Sequence, residues 1–212
     1  MTARKKLPEE VRRVEILNAC DRLYWEKGFR EITIKDISQE TSFSRPSIYN
    51  YFETKEEIFL GLLTREYKQW TGELNEIEAE NIKDTSRLSD KIAESLENRK
   101  TLLKITSMNL YEIEDASRLE RLREFKKQFR KSVESFLKCI RTAIPGITDQ
   151  ELERIRYAFF PFMYGIYPYV YPTEKQMEAM DQEGISYGGA TIRSLVKGLL
   201  DSVLPQKNER SS

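Results

Sequence analysis

The stretch Thr33–Lys55, TIKDISQETSFSRPSIYNYFETK, decides the reading of this chain. It carries two short helical patterns, a polar turn between them and a third helix start directly behind. Thr33 can cap the first helix: its hydroxyl accepts a backbone N–H, and Asp36 reaches back as the capping-box partner. Ile34 and Ile37 share one face of that helix. Ser44 takes the cap of the second helix and Pro46 its first turn, where a missing N–H costs nothing. Ile48 and Phe52, four apart, point inward together with Phe43 from the turn. The outer face is left to Arg45, Ser47, Tyr49, Asn50 and Tyr51.

A solvated helix face normally mixes charges, yet between Glu40 and Glu53 the chain has no carboxylate and only one cation, Arg45. Arg, Ser, Asn and two Tyr make a surface suited to hydrogen bonds with phosphates and base edges. A helix of this size fits the major groove, where Arg pairs with guanine and Asn with adenine. Arg45, Ser47 and Asn50 are therefore expected to read or approach bases, with Pro46 on the same surface. Thr33, Ser44, Tyr49 and Tyr51 are expected to hold phosphates. Lys55 adds a further phosphate contact from the next helix, which Thr54 caps with Glu57 as box partner. The plainer alternative is a small polar helix that only packs its own domain.

With the preceding helix included, Ile16 to Leu63 resembles the DNA-binding domain of the TetR family of transcriptional regulators. The resemblance is carried by ILNACDRLYWEKGF, TIKDIS and SRPSIYNYFETKEEIF, a run of about 50 residues with specific motifs. One departure lies in the turn, where the family has a small residue and Gly and this chain has Thr41 and Ser42. A serine forced into a left-handed turn would cost on the order of 1 kcal/mol.

The resemblance implies an all-α fold: an N-terminal three-helix helix-turn-helix domain, residues 1–54, joined by a long fourth helix to a C-terminal helical effector-binding and dimerisation domain, residues 55–212. It further implies a ligand-responsive regulator, a repressor, that binds a palindromic operator in double-stranded DNA as a homodimer. A small molecule held among the central helices would shift the fourth helix and release the DNA. By position, Trp70, Met108, Tyr111, Phe129, Tyr164 and Tyr167 are expected to face that molecule. The aromatic supply suggests an apolar or aromatic effector. A rival reading keeps the fold as a helical protein-interaction adaptor without specific DNA binding.

Composition narrows the classes. The chain has 212 residues, 39% apolar and 33% charged, which describes an ordinary globular protein of one or two small domains. Histidine is absent, which removes the commonest general base and metal ligand. No nucleophile–base pair, phosphate loop or metal-ligand spacing stands out, so no enzyme activity, cofactor or metal is expected. Cys20 and Cys139 sit alone in helical patterns and read as core thiols. The N-terminus MTARKKLPEEVRR has no apolar run and no segment reaches the roughly 20 apolar residues of a bilayer span, so a cytoplasmic location without membrane contact is expected. Net charge is zero, and residues 1–55 carry 11 Lys+Arg against 9 Asp+Glu. The case for DNA therefore rests on local placement rather than bulk charge.

In chain order, Arg4, Lys5 and Lys6 form a short basic arm, either laid along a groove or simply frayed. The first helix starts at Pro8, with Ile16, Ala19, Cys20, Leu23 and Tyr24 as its core stripe, and Gly28 closes it before Phe29. Phe59, Leu63, Tyr67, Trp70, Leu74 and Ile77 set one face of a helix running to about Glu80. Further helices are expected over Leu88–Leu96, Lys100–Ile113 and Arg118–Ala143, the last with Leu119, Leu122, Phe125, Phe129, Val133, Phe136 and Ile140 on one face. Thr148 and Glu151 cap the next helix, which Pro161 and Pro168 are expected to kink or break. The final helix is expected over Tyr187–Val203, its stripe being Ile192, Leu195, Val196, Leu199 and Val203. Gly188, Gly189, Ala190 and Gly198 either let helices approach closely or, for the Gly pair, form a turn.

Overall fold

The computed structural model describes residues 8–186 and 188–205, so the basic arm at Arg4, Lys5 and Lys6, residue Tyr187 and the tail beyond Pro205 lie outside the described residues. All regular structure among the described residues is helical: α1 Glu9–Glu26, a 3-10 turn Phe29–Glu31, α2 Ile34–Gln39, α3 Arg45–Tyr49, α4 Lys55–Ala79, α5 Thr85–Glu97, α6 Lys100–Met108, α7 Leu110–Asp115, α8 Leu119–Ala143, α9 Asp149–Val170, α10 Glu174–Gln182 and α11 Ile192–Val203. Two compact units emerge. One holds the chain up to Arg65 together with Asn109–Lys126, and the other holds Glu66–Met108 and the residues from Lys127 onward.

In the first unit α1 buries Ile16, Ala19, Cys20, Leu23 and Tyr24, the stripe expected from its period. Tyr24 and Phe29 both meet the Phe59 ring edge-on, at 5.1 and 4.8 Å between centroids. The end of α1 departs from expectation. Lys27 is already extended and Gly28 has φ −69, so no left-handed cap forms. The Gly28 N–H instead donates to the Glu31 carboxylate at 2.8 Å, which starts the 3-10 turn that sinks Phe29 into the core.

The turn between α2 and α3 shows a second difference. Asn81, at φ 52, is the one non-glycine residue with positive φ among the described residues. Thr41 and Ser42 thus avoid the left-handed strain that the missing glycine suggested. Ser44 stands at the cap of α3, but its hydroxyl pairs with that of Ser47 at 3.0 Å and makes no capping bond. Phe43, expected to point inward, is half-buried beneath the Arg12 guanidinium, 5.5 Å from its centroid. Thr54 does cap α4, accepting the Glu57 N–H at 3.2 Å. The Glu57 carboxylate does not return to it, because Arg118 and the Glu53 N–H occupy that carboxylate.

The second unit is organised on an aromatic core of Trp70, Phe136, Phe159 and Phe160. Phe136 and Phe159 stack at 4.2 Å, and Trp70 lies parallel to Phe159 at 6.4 Å. Here α8 meets α4 through a polar seam. The buried Ser132 hydroxyl donates to the Tyr67 carbonyl at 3.1 Å, Gln128 donates to the Thr71 hydroxyl at 3.0 Å, and Ser135 to Asn75 at 2.8 Å. Small hydroxyls that satisfy one another let the two backbones approach without leaving orphan groups. Asn81 closes α4 in the left-handed conformation that asparagine tolerates.

Four expectations are corrected in this part of the chain. Helix Lys100–Ile113 is two helices, because Asn109 leaves helical geometry at φ −139 and its side chain accepts from the Tyr24 hydroxyl at 2.8 Å. Leu119, read as an inward residue, is exposed, while Phe125, Phe136 and Ile140 are buried. Pro161 and Pro168 do not break α9: each withholds one N–H from the carbonyl four residues back, and the rest of the ladder carries the helix through. The last helix starts at Ile192: Gly188 and Gly189, at φ 145 and 84, lie outside it in a backbone conformation that only glycine adopts readily. Short α10 precedes the two glycines, opened by a Thr173–Gln176 capping box. Among the described residues no helix is long and apolar enough to cross a membrane.

Candidate nucleic-acid interface

The surface is built from α2, α3 and the first turn of α4. Thr33 opens α2 with a complete capping box: its hydroxyl accepts the Asp36 N–H at 3.2 Å, and its own N–H donates to the Asp36 carboxylate at 2.9 Å. The Thr33 hydroxyl also donates to that carboxylate, at 2.5 Å. These bonds, with Lys27 nearby, hold the Asp36 carboxyl below its ordinary range. Both Thr33 protons are thereby committed to Asp36.

Ile48, fully buried, pins α3 to the body and turns its other residues outward. Arg45, Ser44, Pro46, Tyr49 and Asn50 are exposed, and Ser47 is partly so. Arg45 bends over the ring of Tyr49, 5.8 Å from its centroid, and donates to the Tyr49 hydroxyl at 3.3 Å. This i,i+4 pair holds a guanidinium and a phenol side by side on the outer face. Tyr51 faces elsewhere: it is half-buried, its hydroxyl accepting from Arg12 at 3.3 Å and its carbonyl from Arg121 at 3.3 Å. The Lys55 ammonium rests 4.4 Å from the Phe29 centroid and donates to the Phe29 carbonyl at 2.9 Å.

Between these elements runs an open groove of about 560 Å³, whose lining includes Arg30, Thr33, Lys35, Arg45, Tyr49 and Lys55 and also Glu53 and Glu56. Five of the nine residues expected to touch DNA lie away from its walls, and Thr33, Arg45, Tyr49 and Lys55 come together in it. Sequence reasoning missed Arg30, in the 3-10 turn before α2, and Lys35, in its first turn, two exposed cations whose only signal was their charge. It also missed Arg118. That guanidinium takes Glu53 at 2.7 Å and clasps the buried Glu57 carboxylate at 2.6 and 2.9 Å, which leaves Glu56 as the acid in the groove wall that it does not pair. What remains in the groove is a surplus of positive charge beside planar donors, an arrangement complementary to a phosphate-lined duplex.

The residues expected around an effector are divided between the two units and differ in burial. Trp70 is fully buried in the aromatic core, its indole N–H donating to Ser95 at 3.0 Å. Met108 is 54% exposed, and Tyr111, a residue of the first unit, is 87% exposed. Phe129 and Tyr164 do line a common groove of about 190 Å³ with Val133, Arg156, Tyr157, Phe160 and Pro161. Tyr167 packs instead on Tyr171 at 5.0 Å, and burial pushes its hydroxyl pKa up. Among the described residues no acidic or thiol cluster suits a metal ion. Both cysteines are free and buried, and burial raises the Cys139 thiol to about 12.

Comparison with known proteins accounts for the arrangement. Residues 16–62 match the family model described as bacterial regulatory proteins, tetR family, and residues 64–204 match that of the tetracyclin repressor-like C-terminal domain. Among curated relatives, the uncharacterised HTH-type transcriptional regulator YvkB of Bacillus subtilis is 30% identical over 91 residues, 43% of this chain and 48% of YvkB. The HTH-type transcriptional regulator EthR of Mycobacterium tuberculosis is 34% identical over 76 residues, 36% of this chain and 35% of EthR. The chain thus spans between a third and a half of the length of these two relatives. In fold, a TetR-family transcriptional regulator from Mesorhizobium loti superposes with a TM-score of 0.62 at 12% identity, over 94% of this chain and 96% of the other. FadR from Bacillus subtilis, determined in complex with stearoyl-CoA, does so with a TM-score of 0.57 at 14% identity, over 90% and 97%. Two matched family models, end to end over most of the sequence, place this chain in the TetR family of bacterial regulatory proteins.

Proposed function

We propose that the protein is a ligand-responsive transcriptional repressor that binds a palindromic operator as a homodimer and is not an enzyme. The observation that carries the reading is the groove where Arg30, Lys35, Arg45 and Lys55 converge beside the exposed face of α3. Arg45 and Asn50 read base edges, Ser47 approaches them, and Ser44, Pro46 and Tyr49 meet the sugar–phosphate backbone. Lys55 and Tyr51 contribute by holding the frame, given their bonds to Phe29 and Arg12. Thr33 meets phosphate only by giving up Asp36. Such a protein works in the cytoplasm, where its DNA is.

The effector is a small apolar or aromatic molecule, and the groove between Phe129 and Tyr164 supports that class. At about 190 Å³ it is smaller than the ~300–1,000 Å³ typical of ligand pockets, so occupancy by a larger molecule requires it to open. The acyl-CoA held by FadR shows what a related fold accommodates. A hundredfold release of operator requires about 2.7 kcal/mol of difference in effector affinity between the two states.

Binding to duplex DNA as a function of salt tests the reading. Affinity should fall steeply and linearly on logarithmic axes as salt rises, and a small molecule that binds the protein should release the duplex. An absence of any duplex binding at low salt would refute it.

A further inference from the structure

The turn that lacks the family's glycine is held by a carboxylate from another helix. The Ser42 N–H donates to Glu15 Oε1 at 2.6 Å, and Glu15 is half-buried on α1. Around it three further residues of α1 reach the same segment. Arg22 donates to the Glu40 carbonyl at 3.2 Å, where α2 ends. Arg12 lies over Phe43, ahead of α3, and reaches the Tyr51 hydroxyl beyond it at 3.3 Å. Arg13 lies over Phe52 at 5.3 Å. Both shoulders of α3 are thus gripped from one helix, and the grip on its leading shoulder is a charge-assisted hydrogen bond, roughly twice as strong as a neutral one.

The need for that grip follows from the local backbone. Without a left-handed residue after α2, the turn keeps one of the two usual helix-end bonds, from the Thr41 N–H to the Ser38 carbonyl, and that one is long at 3.5 Å. The next amide, at Ser42, has Glu15 as its acceptor. α3 is five residues long with Ile48 as its one buried residue, so its direction depends on what holds its two ends.

We propose that Glu15 is a positioning residue for operator recognition. Its carboxylate holds the Ser42 amide, and through it the angle at which α3 presents Arg45 and Asn50, with Arg12 steadying the far end. The proposal rests on the DNA-reading function above. Base-edge contacts need placement within about 0.5 Å and 10–20°, so a loosened turn degrades selectivity before it degrades attraction to phosphate.

Two variants separate this role from a charge effect. In E15Q the charge is gone but an amide oxygen still accepts from Ser42, whereas in E15D the charge stays and the shorter arm withdraws the acceptor. Each is titrated against a duplex selected by the parent protein from a random pool, and against a shuffled duplex of the same length. E15D should lose about ten- to a hundredfold of the ratio between the two duplexes, the share of one well-made base contact, with its salt slope unchanged. E15Q should keep most of that ratio. Amide exchange at Ser42 should speed up in E15D and stay slow in E15Q, whatever the DNA result. A parent that discriminates while E15D matches it, or E15Q falling further than E15D, overturns the role of Glu15. So does a Ser42 amide that exchanges as slowly in E15D as in the parent. A parent that does not discriminate between duplexes refutes the operator reading itself, and with it any positioning for recognition.

Discussion

Arg45 and Tyr49 show how little separates a recognition surface from ordinary solvated helix. Their hydrogen bond at 3.3 Å holds the guanidinium in a defined place, which under the proposed function lowers the ordering cost of binding DNA. Arg45→Ala is expected to weaken operator binding by about 1–3 kcal/mol and to relax preference at one base pair. Tyr49→Phe, which removes the acceptor but keeps the ring, should cost about 0.5–1.5 kcal/mol, and fluorescence anisotropy would read both. Trp70 and Tyr111 make the opposite pair. Trp70→Ala opens the aromatic core and should cost about 3–5 kcal/mol in a urea melt, whereas Tyr111→Ala, at an exposed site, should stay within about 0.5 kcal/mol. Sequence could name these aromatic residues but not sort them, because a tyrosine or tryptophan satisfies the same helical period whether it fills a core, a groove or open surface. The apolar stripe of α1 and the outward face of α3 were legible, since there the polar residues on the other side fixed the direction.

Among elements, the junction of α3 with α4 depends on Arg118, a residue 61 positions beyond Glu57. Burial works against the Glu57 charge, but the Arg118 side chain and the N–H groups of Glu53 and Arg118 outweigh it and hold the carboxyl below its ordinary range. A carboxylate depressed in the folded state stabilises the fold fully above its unfolded pKa of about 4.3, and the contribution is lost as pH falls below that. Thermal melts should therefore show the parent losing stability on acidification from about pH 5, and Glu57→Gln losing less over the same range. Arg118→Ala leaves a buried carboxylate without its cation and is expected to cost about 1–3 kcal/mol at neutral pH. If Glu57→Gln tracked the parent at every pH, the clasp would not be the titrating element. No local pattern in the sequence announces so distant a pair. The same reason explains α6 and α7: their helical period runs on unbroken, and Asn109 interrupts it for a partner, Tyr24, 85 positions away. Where a helix end is decided locally, as by Thr33–Asp36 or Thr148–Glu151, the sequence was sufficient.

For the whole molecule, family membership joins two units whose sequences carry very different amounts of information. The first is read from motifs, because a helix facing DNA has narrow chemical demands. The second is read from period alone, because an effector pocket and a dimer face both draw on the same apolar and aromatic residues. The central claim is that α3 lies outward as one of two symmetric reading heads, and selection of bound duplexes from a random-sequence pool tests it most directly. The account predicts enrichment of an inverted repeat whose half-sites lie about one helical turn apart, ~10 base pairs or a multiple of it, with the enrichment lost in Arg45→Ala. A pool that shows no enriched sequence, or a single unrepeated site bound equally well by Arg45→Ala, would contradict it.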